Sequence, residues 1–546
     1  MIKLKNQIIN SIYTVTNNLS YPKKECSLAP PKNIDFGDLC SNIALLLAKD
    51  LKKSPLEIAN NIVGELNNIS NEHITSISVT NPGFINFKIE DHYFQSEIKN
   101  ILNESQNYGR GSTGVGKTAN VEFVSANPTG PLTVGHGRNA ILGDTVSNIL
   151  EWQGYKVTRE YYFNNAGRQM RILGESLKSR YLEVCNVKNE FPEEGYQGKY
   201  IYDIAESFKK EFFKKYIEEQ NVDIFKNYAE NKIFDDIKNT LNMLNIKFNN
   251  YFNEDDLYKN KELEKIISDL EKKKLIYKKD NAIWFAGTKA NRPVDRVLIK
   301  SSGEPTYRLP DMAYHRTKFE RNYDTIVDIF GADHMDAYPD VIESMNQLDY
   351  DINKIKVLIH QFVTITKNNK PIKMSTRKAN FVTLEELCEE VGSDVVRYFF
   401  IMRHINSHLN FELEIAKDRS DANPIFYLQY AHARICTIIK KAKAEGFKWS
   451  NSINLKLLNE IAENELIIKM INFPEIIKSA HDKLDPQIIS NYLEDLAAKF
   501  HKYYGNHRII IDDKNLSCAR IFLIDSIRII LNNGLDVLGI EAKERM

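Results

Sequence analysis

The run VEFVSANPTGPLTVGHGRNAILGDTVSNILEWQGYKVTREYYF, residues 121–163, constrains the fold more than any other part of the chain. Its first six residues are mainly β-branched, aromatic or small and stop at the breaker NPTGP, which predicts a strand. NAILGDTVSNILEWQ then carries apolar residues at helical spacing up to Gly154, and YKVTREYYF supplies a second strand. Strand, helix, strand at this length is a βαβ unit, whose strands pair in parallel and whose sheet is covered on both faces. The loop between the first strand and the helix lies at the carboxyl end of the strand, where open α/β sheets bind their ligands. Asn127, Thr133, Gly135 and His136 stand on that crest beside a helix N-terminus suited to phosphate, and Gly135 lets backbone approach a ligand closely. For His136 taken alone, an ordinary polar turn is the competing explanation.

Just upstream, GSTGVGKT (residues 111–118) matches the phosphate-loop pattern GxxxxGK[ST] at every position, including Gly111, Gly116, Lys117 and Thr118. That pattern cradles phosphate only when a strand precedes it and a helix follows. Here Phe94, Ile98, Ile101 and Leu102 predict a helix before it and TANVEFVSA a strand after it. The order is reversed, so the segment is expected to be a flexible linker and not a nucleotide-binding loop.

A chain of 546 residues with 42% hydrophobic content has room for several cores. Lys plus Arg equal Asp plus Glu at 73 each, so any contact with nucleic acid must come from local basic faces. Cys26, Cys40, Cys185, Cys388, Cys436 and Cys518 are scattered without metal-binding spacing, which favours a reducing cytoplasm and neither zinc nor a disulfide framework. No stretch approaches eighteen apolar residues, and no membrane association is expected. The patterns predict a multidomain chain: an α+β module over 1–110, an α/β Rossmann-type parallel-sheet domain over 119–410 with a helical insertion at about 175–275, and an all-α bundle over 420–546.

One further polar run, KMSTRKAN at residues 373–380, follows the apolar strand IKVLIHQFVTI. Its cations could clamp a triphosphate, or it could be a solvated basic loop. Asp333, His334 and Asp336 in GADHMD suggest a metal site, but the end of a strand fits them better, and no protein-bound metal is expected.

These segments resemble the class I aminoacyl-tRNA synthetases, whose HIGH and KMSKS signatures correspond to TVGH (133–136) and KMSTR (373–377). The arginyl-tRNA synthetase family of bacterial type is the closer match, through YYFNNAGRQM, TYRLPDMAYHRTKFERNYDTIVDIFGADHMDAY, FFIMRHINSHLNFELEIAK, NPIFYLQYAHARI, GLDVLGIEAKERM, IDFGDLCSNIALLLAK and NPGFINF. The resemblance implies a ligase used in translation. It activates L-arginine with ATP and Mg²⁺ to arginyl-adenylate, then transfers arginine to the 3′-terminal adenosine of arginine tRNA. It implies that the N-terminal module contacts the outer corner of tRNA, that the helical domain binds the anticodon, and that the protein is a cytoplasmic monomer.

The resemblance also assigns residues. His136, Lys373, Ser375 and Thr133 carry catalysis. Asn127, Pro128, Thr129, Gly130, Thr133, Val134, Gly135, His136, Lys373, Met374, Ser375 and Arg377 face ATP. Ser125, Asn127, Glu254, Tyr307 and Asp311 bind arginine, with Ser125 and Asn127 at its ammonium group and Glu122 as a structural partner. Carboxylates suit the guanidinium because its planar fork of donors pairs with them in bidentate fashion. Tyr427, Gln429, Tyr430, His432 and Arg434 offer stacking faces and donors to unpaired anticodon bases. Two positions depart from the signatures. Thr133 replaces the first histidine of HIGH, and Thr376 the second lysine of KMSKS, a charge that Arg377 or Lys378 could restore. A tRNA-binding relative that has lost activation is the alternative these departures raise.

Overall fold

The computed structural model describes residues 1–31, 33–69, 72–368, 370–371 and 382–546. Its centre is a five-stranded, wholly parallel sheet of β1 (Thr118–Glu122), β2 (Lys156–Phe163), β3 (Asn250–Asn253), β4 (Thr325–Gly331) and β5 (Ile355–His360), in the order β3-β2-β1-β4-β5. β1 is central and buried on both faces: Ala119, Val121, Asn120 and Glu122 are all at 3% exposure or less. The strand order reverses beside β1, so the crevice between the carboxyl ends of β1 and β4 is the place where such a sheet receives ligands.

Helix α1 (Val134–Trp152) connects β1 to β2 and is buried almost all round, which explains why its sequence reads as apolar rather than amphipathic. It begins five residues earlier than its apolar pattern predicts. Thr133 is the N-cap, so Val134, Gly135 and His136 form the first helical turn instead of the loop.

After β2, α2 (Gly167–Val184), α3 (Lys199–Phe212) and α4 (Val222–Met243) pack around Tyr181, Phe208 and Phe225. This layer begins before the 175–275 expected, and within that window the helices Asp255–Lys259 and Glu262–Lys272 follow after β3. β3 returns to the main sheet at Asn250, and residues 276–299 form a separate three-stranded antiparallel sheet. Four-residue strands such as NYFN offer too few positions for alternation to show. Helices α5 (Arg308–Glu320), α6 (Tyr338–Gln347) and α7 (Ser393–Ile401) complete the catalytic body.

The C-terminal region is helical as expected: α8 (Pro424–Ala444), α9 (Ile461–Ile471), α10 (Phe473–Lys483), α11 (Gln487–Asn506) and α12 (Lys514–Val537). The N-terminal module sets the sheet Leu39–Ser41, Phe84–Ile89, Ile74–Thr80 against helices Ile2–Asn18, Ile43–Leu51 and Pro55–Leu66. Its last helix, Asp91–Glu104, docks on the C-terminal bundle, where Asn533 Nδ2 donates to the carbonyls of Ser105 (2.8 Å) and Tyr108 (3.0 Å).

GSTGVGKT follows a helix and leads into β1, as its flanks predict, but it is a docked turn and not a flexible linker. Gly111 N donates to Trp152 O (2.9 Å) and Gly114 N to Gln153 O (2.8 Å), so these amides close the end of α1 and are occupied. A Cβ on Gly114 would meet the Tyr155 ring at 1.9 Å. Gly114→Ala is therefore expected to cost roughly 1–3 kcal/mol by overpacking, read as a lowered melting temperature. Lys117→Ala should leave both melting and ATP-dependent activity unchanged; loss of ATP turnover in that variant would restore the phosphate-loop reading.

Candidate active site

Beyond Glu122 the chain makes a strained turn at the crest. Val124 and Ser125 have φ of +65° and +45°, a region that non-glycine residues avoid, most of all β-branched ones. Val124 N donates to Asn139 Oδ1 (2.6 Å) and Ser125 N to Phe123 O (2.9 Å). The Ser125 hydroxyl donates to Glu122 Oε1 (2.8 Å) and accepts from Tyr162 N (3.2 Å), so Ser125 is locked over the ends of β1 and β2. Asn127 is exposed next to it, with its amide between Asn164 N (3.0 Å) and Gln169 Oε1 (3.1 Å). Pro128 is buried. Thr129 O accepts from Tyr200 of α3 (2.7 Å), whose ring lies 3.2 Å from where a Cβ on Gly130 would stand.

Thr133 caps α1 in a reciprocal box with His136: the Thr133 hydroxyl accepts from His136 N (3.5 Å) while His136 Nδ1 accepts from Thr133 N (3.2 Å). This gives the departure from HIGH a structural role, because a hydroxyl at the N-cap organises the turn that presents His136. Val134 is buried, whereas Gly135 is exposed and a Cβ there would meet only Thr133 Oγ1 within 4 Å, at 3.7 Å. The turn thus offers a helix N-terminus and an imidazole at the switch point, an arrangement suited to phosphate.

The opposite wall is acidic. α5 starts at Tyr307, which is 61% exposed with the Arg308 guanidinium 4.9 Å over its ring, and Asp311 follows one turn later. Among the described residues no hydrogen bond or ion pair engages the Asp311 carboxylate. Burial pushes its pKa up to about 7, with Glu122 and Glu254 adding to the rise against His315 and Lys318. Burial also raises Glu254, which accepts from the hydroxyls of Tyr162 (2.7 Å) and Tyr258 (3.5 Å). The structure therefore brings Ser125, Glu254 and Asp311 into one electrostatic neighbourhood, with Tyr307 at its rim.

Beneath it lies a network that the sequence reading missed. Lys318, fully buried, pairs with Glu122 and with Asp328 (2.6 Å). His315 faces two acceptors, Asp311 O (2.8 Å) and Asp328 Oδ2 (2.9 Å), which calls for the imidazolium. Burial alone would lower the His315 pKa, yet Asp328 and Glu122 outweigh burial and Lys318 and raise it. Asp311, His315 and Lys318 fall on one face of α5 at spacings of four and three, the signal from which these residues could have been found. Deeper still, Glu160 accepts from Tyr314 (2.7 Å), Asn250 (2.6 Å) and both Arg321 amino groups (2.5 and 2.8 Å). Burial would raise it, but Arg321 and Lys318 hold it at about 2.

On the other side of the switch point, β4 runs into the short helical turn Ala332–Asp336. Asp336 pairs with Arg296 (3.0 Å) and Arg308 (3.2 Å); the side chains of Asp333 and His334 lie outside the described set. Among the described residues no group of three His, Cys, Asp or Glu side chains is arranged for a metal ion. Lys373, Met374, Ser375, Thr376, Arg377 and Lys378 all lie outside the described residues.

In the helical domain the predicted contacts separate. Gln429 and His432 are buried; Gln429 donates to Asp394 Oδ2 and Glu541 O (2.9 Å each) and His432 Nδ1 to Lys543 O (2.9 Å). They tie α8 to the C-terminal tail. Tyr427 and Tyr430 are half-buried against His501, and the exposed Arg434 lies 5.6 Å over Tyr430 and 5.3 Å over Tyr504. Spacing by fours on one helix cannot separate these faces when both are polar or aromatic.

Sheet order, crest loop and helical domain together define a class I aminoacyl-tRNA synthetase, and residues 97–402 match the family model "tRNA synthetases class I (R), catalytic domain". Residues 3–89 match "Arginyl tRNA synthetase N terminal domain" and residues 428–546 "DALR anticodon binding domain". The chain is 46% identical to an arginine–tRNA ligase of Desulfotalea psychrophila over 94% of both chains. It is also 46% identical to one of Prosthecochloris aestuarii over 96% of this chain and 97% of that one. The Thermus thermophilus arginyl-tRNA synthetase has the same fold, at a TM-score of 0.77 and 20% identity over 99% of this chain and 100% of that one. The chain belongs to the arginyl-tRNA synthetase family.

The raised Asp311 carboxyl has a measurable consequence. A guanidinium pairs with an ionised carboxylate, so arginine bound at Asp311 would displace a proton wherever the raised carboxyl, at about 7, is still protonated. Arginine affinity should rise with pH and level off above about 7, being roughly tenfold weaker at pH 6 than at the plateau. Calorimetry in buffers of different ionisation enthalpy should record proton release at pH 6 to 7; affinity that is flat across this window would contradict the assignment.

Proposed function

We propose that this protein is an arginine–tRNA ligase working in translation as a cytoplasmic monomer, its thiols all free. No described helix is long and apolar enough to cross a membrane. The observation that carries the substrate is the half-buried Asp311 carboxylate, which neither His315 nor Lys318 contacts directly and which shares its surroundings with Glu254: an acid in this position is suited to a cation from the ligand. Tyr307 covers the plane of the guanidinium, and Ser125 and Asn127 receive the ammonium group. The tail of arginine then lies between the acidic wall and the first turn of α1.

In the first step a carboxylate oxygen of arginine attacks the α-phosphorus of ATP. The new bond gives arginyl-adenylate, and the bond to the β-phosphate oxygen breaks to release pyrophosphate. In the second, the 2′-hydroxyl of the terminal adenosine of tRNA attacks the arginyl carbonyl and AMP leaves. No covalent enzyme intermediate is required, so catalysis consists of positioning and stabilisation of developing phosphate charge. His136 and the amides of the α1 N-terminus serve the phosphates. Mg²⁺ would enter as the counter-ion of ATP and neutralise part of the phosphate charge. Lys373 and Ser375 act from the KMSTR loop, and Pro128 to Gly130 with Val134 and Gly135 shape the crest around the nucleotide. Tyr427, Tyr430 and Arg434 form the anticodon-facing surface, with Gln429 and His432 supporting it from inside.

Asp311→Asn should raise the arginine KM by at least the roughly 2–5 kcal/mol of a truncated buried charge pair while ATP binding survives. The parent enzyme should reject lysine, which lacks the fork, and citrulline, which lacks the charge. Unchanged arginine affinity in Asp311→Asn removes the pocket.

Thr376 carries no charge, so the pyrophosphate cation is assigned to Arg377 or Lys378. Alanine at one of the two should cost about 2–4 kcal/mol in activation, as much as Lys373→Ala, with Thr376→Ala nearly silent. Normal ATP–pyrophosphate exchange in both variants, at saturating tRNA, places the cation elsewhere.

A further inference from the structure

Helix α1 runs from the crest to the boundary with the C-terminal domain. Asp144 stands eight residues beyond His136, about 12 Å along the axis at 1.5 Å per residue. In this farther half, Asn148 Nδ2 donates to Val537 O (3.1 Å) at the end of α12. The boundary is not packed solid. A cleft of about 600 Å³ opens there, lined among others by Arg110, Asp144, Asn148, Glu151, Arg159 and Glu541. Beside this cleft α1 packs on α10 and α12, and a set of polar links adds to that packing.

Their hub is Arg397 on α7, which is 1% exposed. Its Nη2 donates to Asp144 Oδ2 (2.6 Å) and Leu538 O (3.0 Å), its Nε to Leu538 O (3.1 Å), and its Nη1 to Leu244 O (2.8 Å). One planar guanidinium thus joins α1, the loop after α4 and the turn after α12. Asp144 is held from its other oxygen by Arg159 Nε (3.2 Å). The turn at Gly539 has φ of +70°, and a Cβ there would lie 2.1 Å from Arg397 Nη2, so the tail is closed tightly around the guanidinium. The tail is held further on by Gln429 and His432.

We propose that Arg397 is a positioning residue for arginine activation: by joining Asp144, Leu244 and Leu538 it sets where α1 stands against the helical domain, and with it the Thr133–His136 turn at the crest. The proposal rests on the reading of that turn as facing ATP. A rigid helix displaced at Asp144 is displaced at its N-terminus too, and misplacement by about 1 Å is felt chiefly in the transition state.

Full-length Arg397→Gln, Arg397→Lys and Asp144→Asn are compared with the parent enzyme at saturating arginine tRNA, with active sites counted by the burst of adenylate. Per active site, kcat for ATP–pyrophosphate exchange should fall on the order of 10–100-fold in Arg397→Gln and less in Arg397→Lys. KM for ATP should stay within about twofold, as for an interaction felt only in the transition state. A lower melting temperature with an unchanged per-site kcat overturns the proposal. If Arg397→Gln does not fold, Asp144→Asn decides, because it keeps the volume and the bonds to Leu244 and Leu538; unchanged kcat there also overturns it. His136→Ala run alongside separates the two failures, since normal kcat in that variant removes the ATP-facing reading of the turn and leaves the Arg397 result to stand or fall by itself.

Discussion

Lys318 is the ion on which the substrate side of this molecule depends. It is fully buried and would be prohibitively costly alone, yet it sits between Glu122 at the end of β1 and Asp328 on β4. That pairing joins the two strands flanking the switch point and leaves Glu122 one oxygen for Ser125. Burial opposes the Lys318 charge, but Asp328 and Glu122 overcome it and raise its pKa, so the cation persists at any working pH. Lys318 and His315 make their direct pairs with Glu122 and Asp328 beneath the pocket, and neither contacts the carboxylates of Asp311 and Glu254 above it. The acidity presented to a substrate is what is left after the network below has been balanced.

The phosphate side is built differently, from backbone and not from ions. The strained pair Val124 and Ser125 turns the chain off β1, and Thr133 caps α1 in a reciprocal box with His136 at the carboxyl end of the sheet. Neither device needs charge, which suits the phosphate-binding role proposed for this surface. α1 then extends this geometry to the helical domain, where Asp144 and Asn148 are gripped.

Much of this was legible in the sequence because its signals are local. The βαβ unit, the reversed order around GSTGVGKT, the all-α C-terminus and the crest residues follow from periodicity and breakers within short windows. The Thr133 cap was not legible beyond Thr133 standing in place of a histidine, since a helix start inside a Gly-rich run has no apolar pattern to mark it. What stayed hidden depends on long-range closure. β3 is four residues long, Lys318 finds Glu122 across 196 positions, and Arg397 finds Leu538 across 141. The burial of Gln429 and His432 depends on a tail more than one hundred residues away. The docked glycine turn was misjudged for the same reason, because its amides are satisfied by the far end of α1.

The proposed acidic pocket at Asp311 and Glu254 is expected to distinguish a planar, fully ionised guanidinium from every other side chain. The most direct test is aminoacylation of bulk tRNA by the full-length protein with each of the twenty amino acids in turn, ATP and Mg²⁺ present. Charging with arginine alone, on arginine-accepting tRNA alone, is the predicted result. Charging with lysine or any other amino acid at a comparable rate, or with none of the twenty, would contradict it.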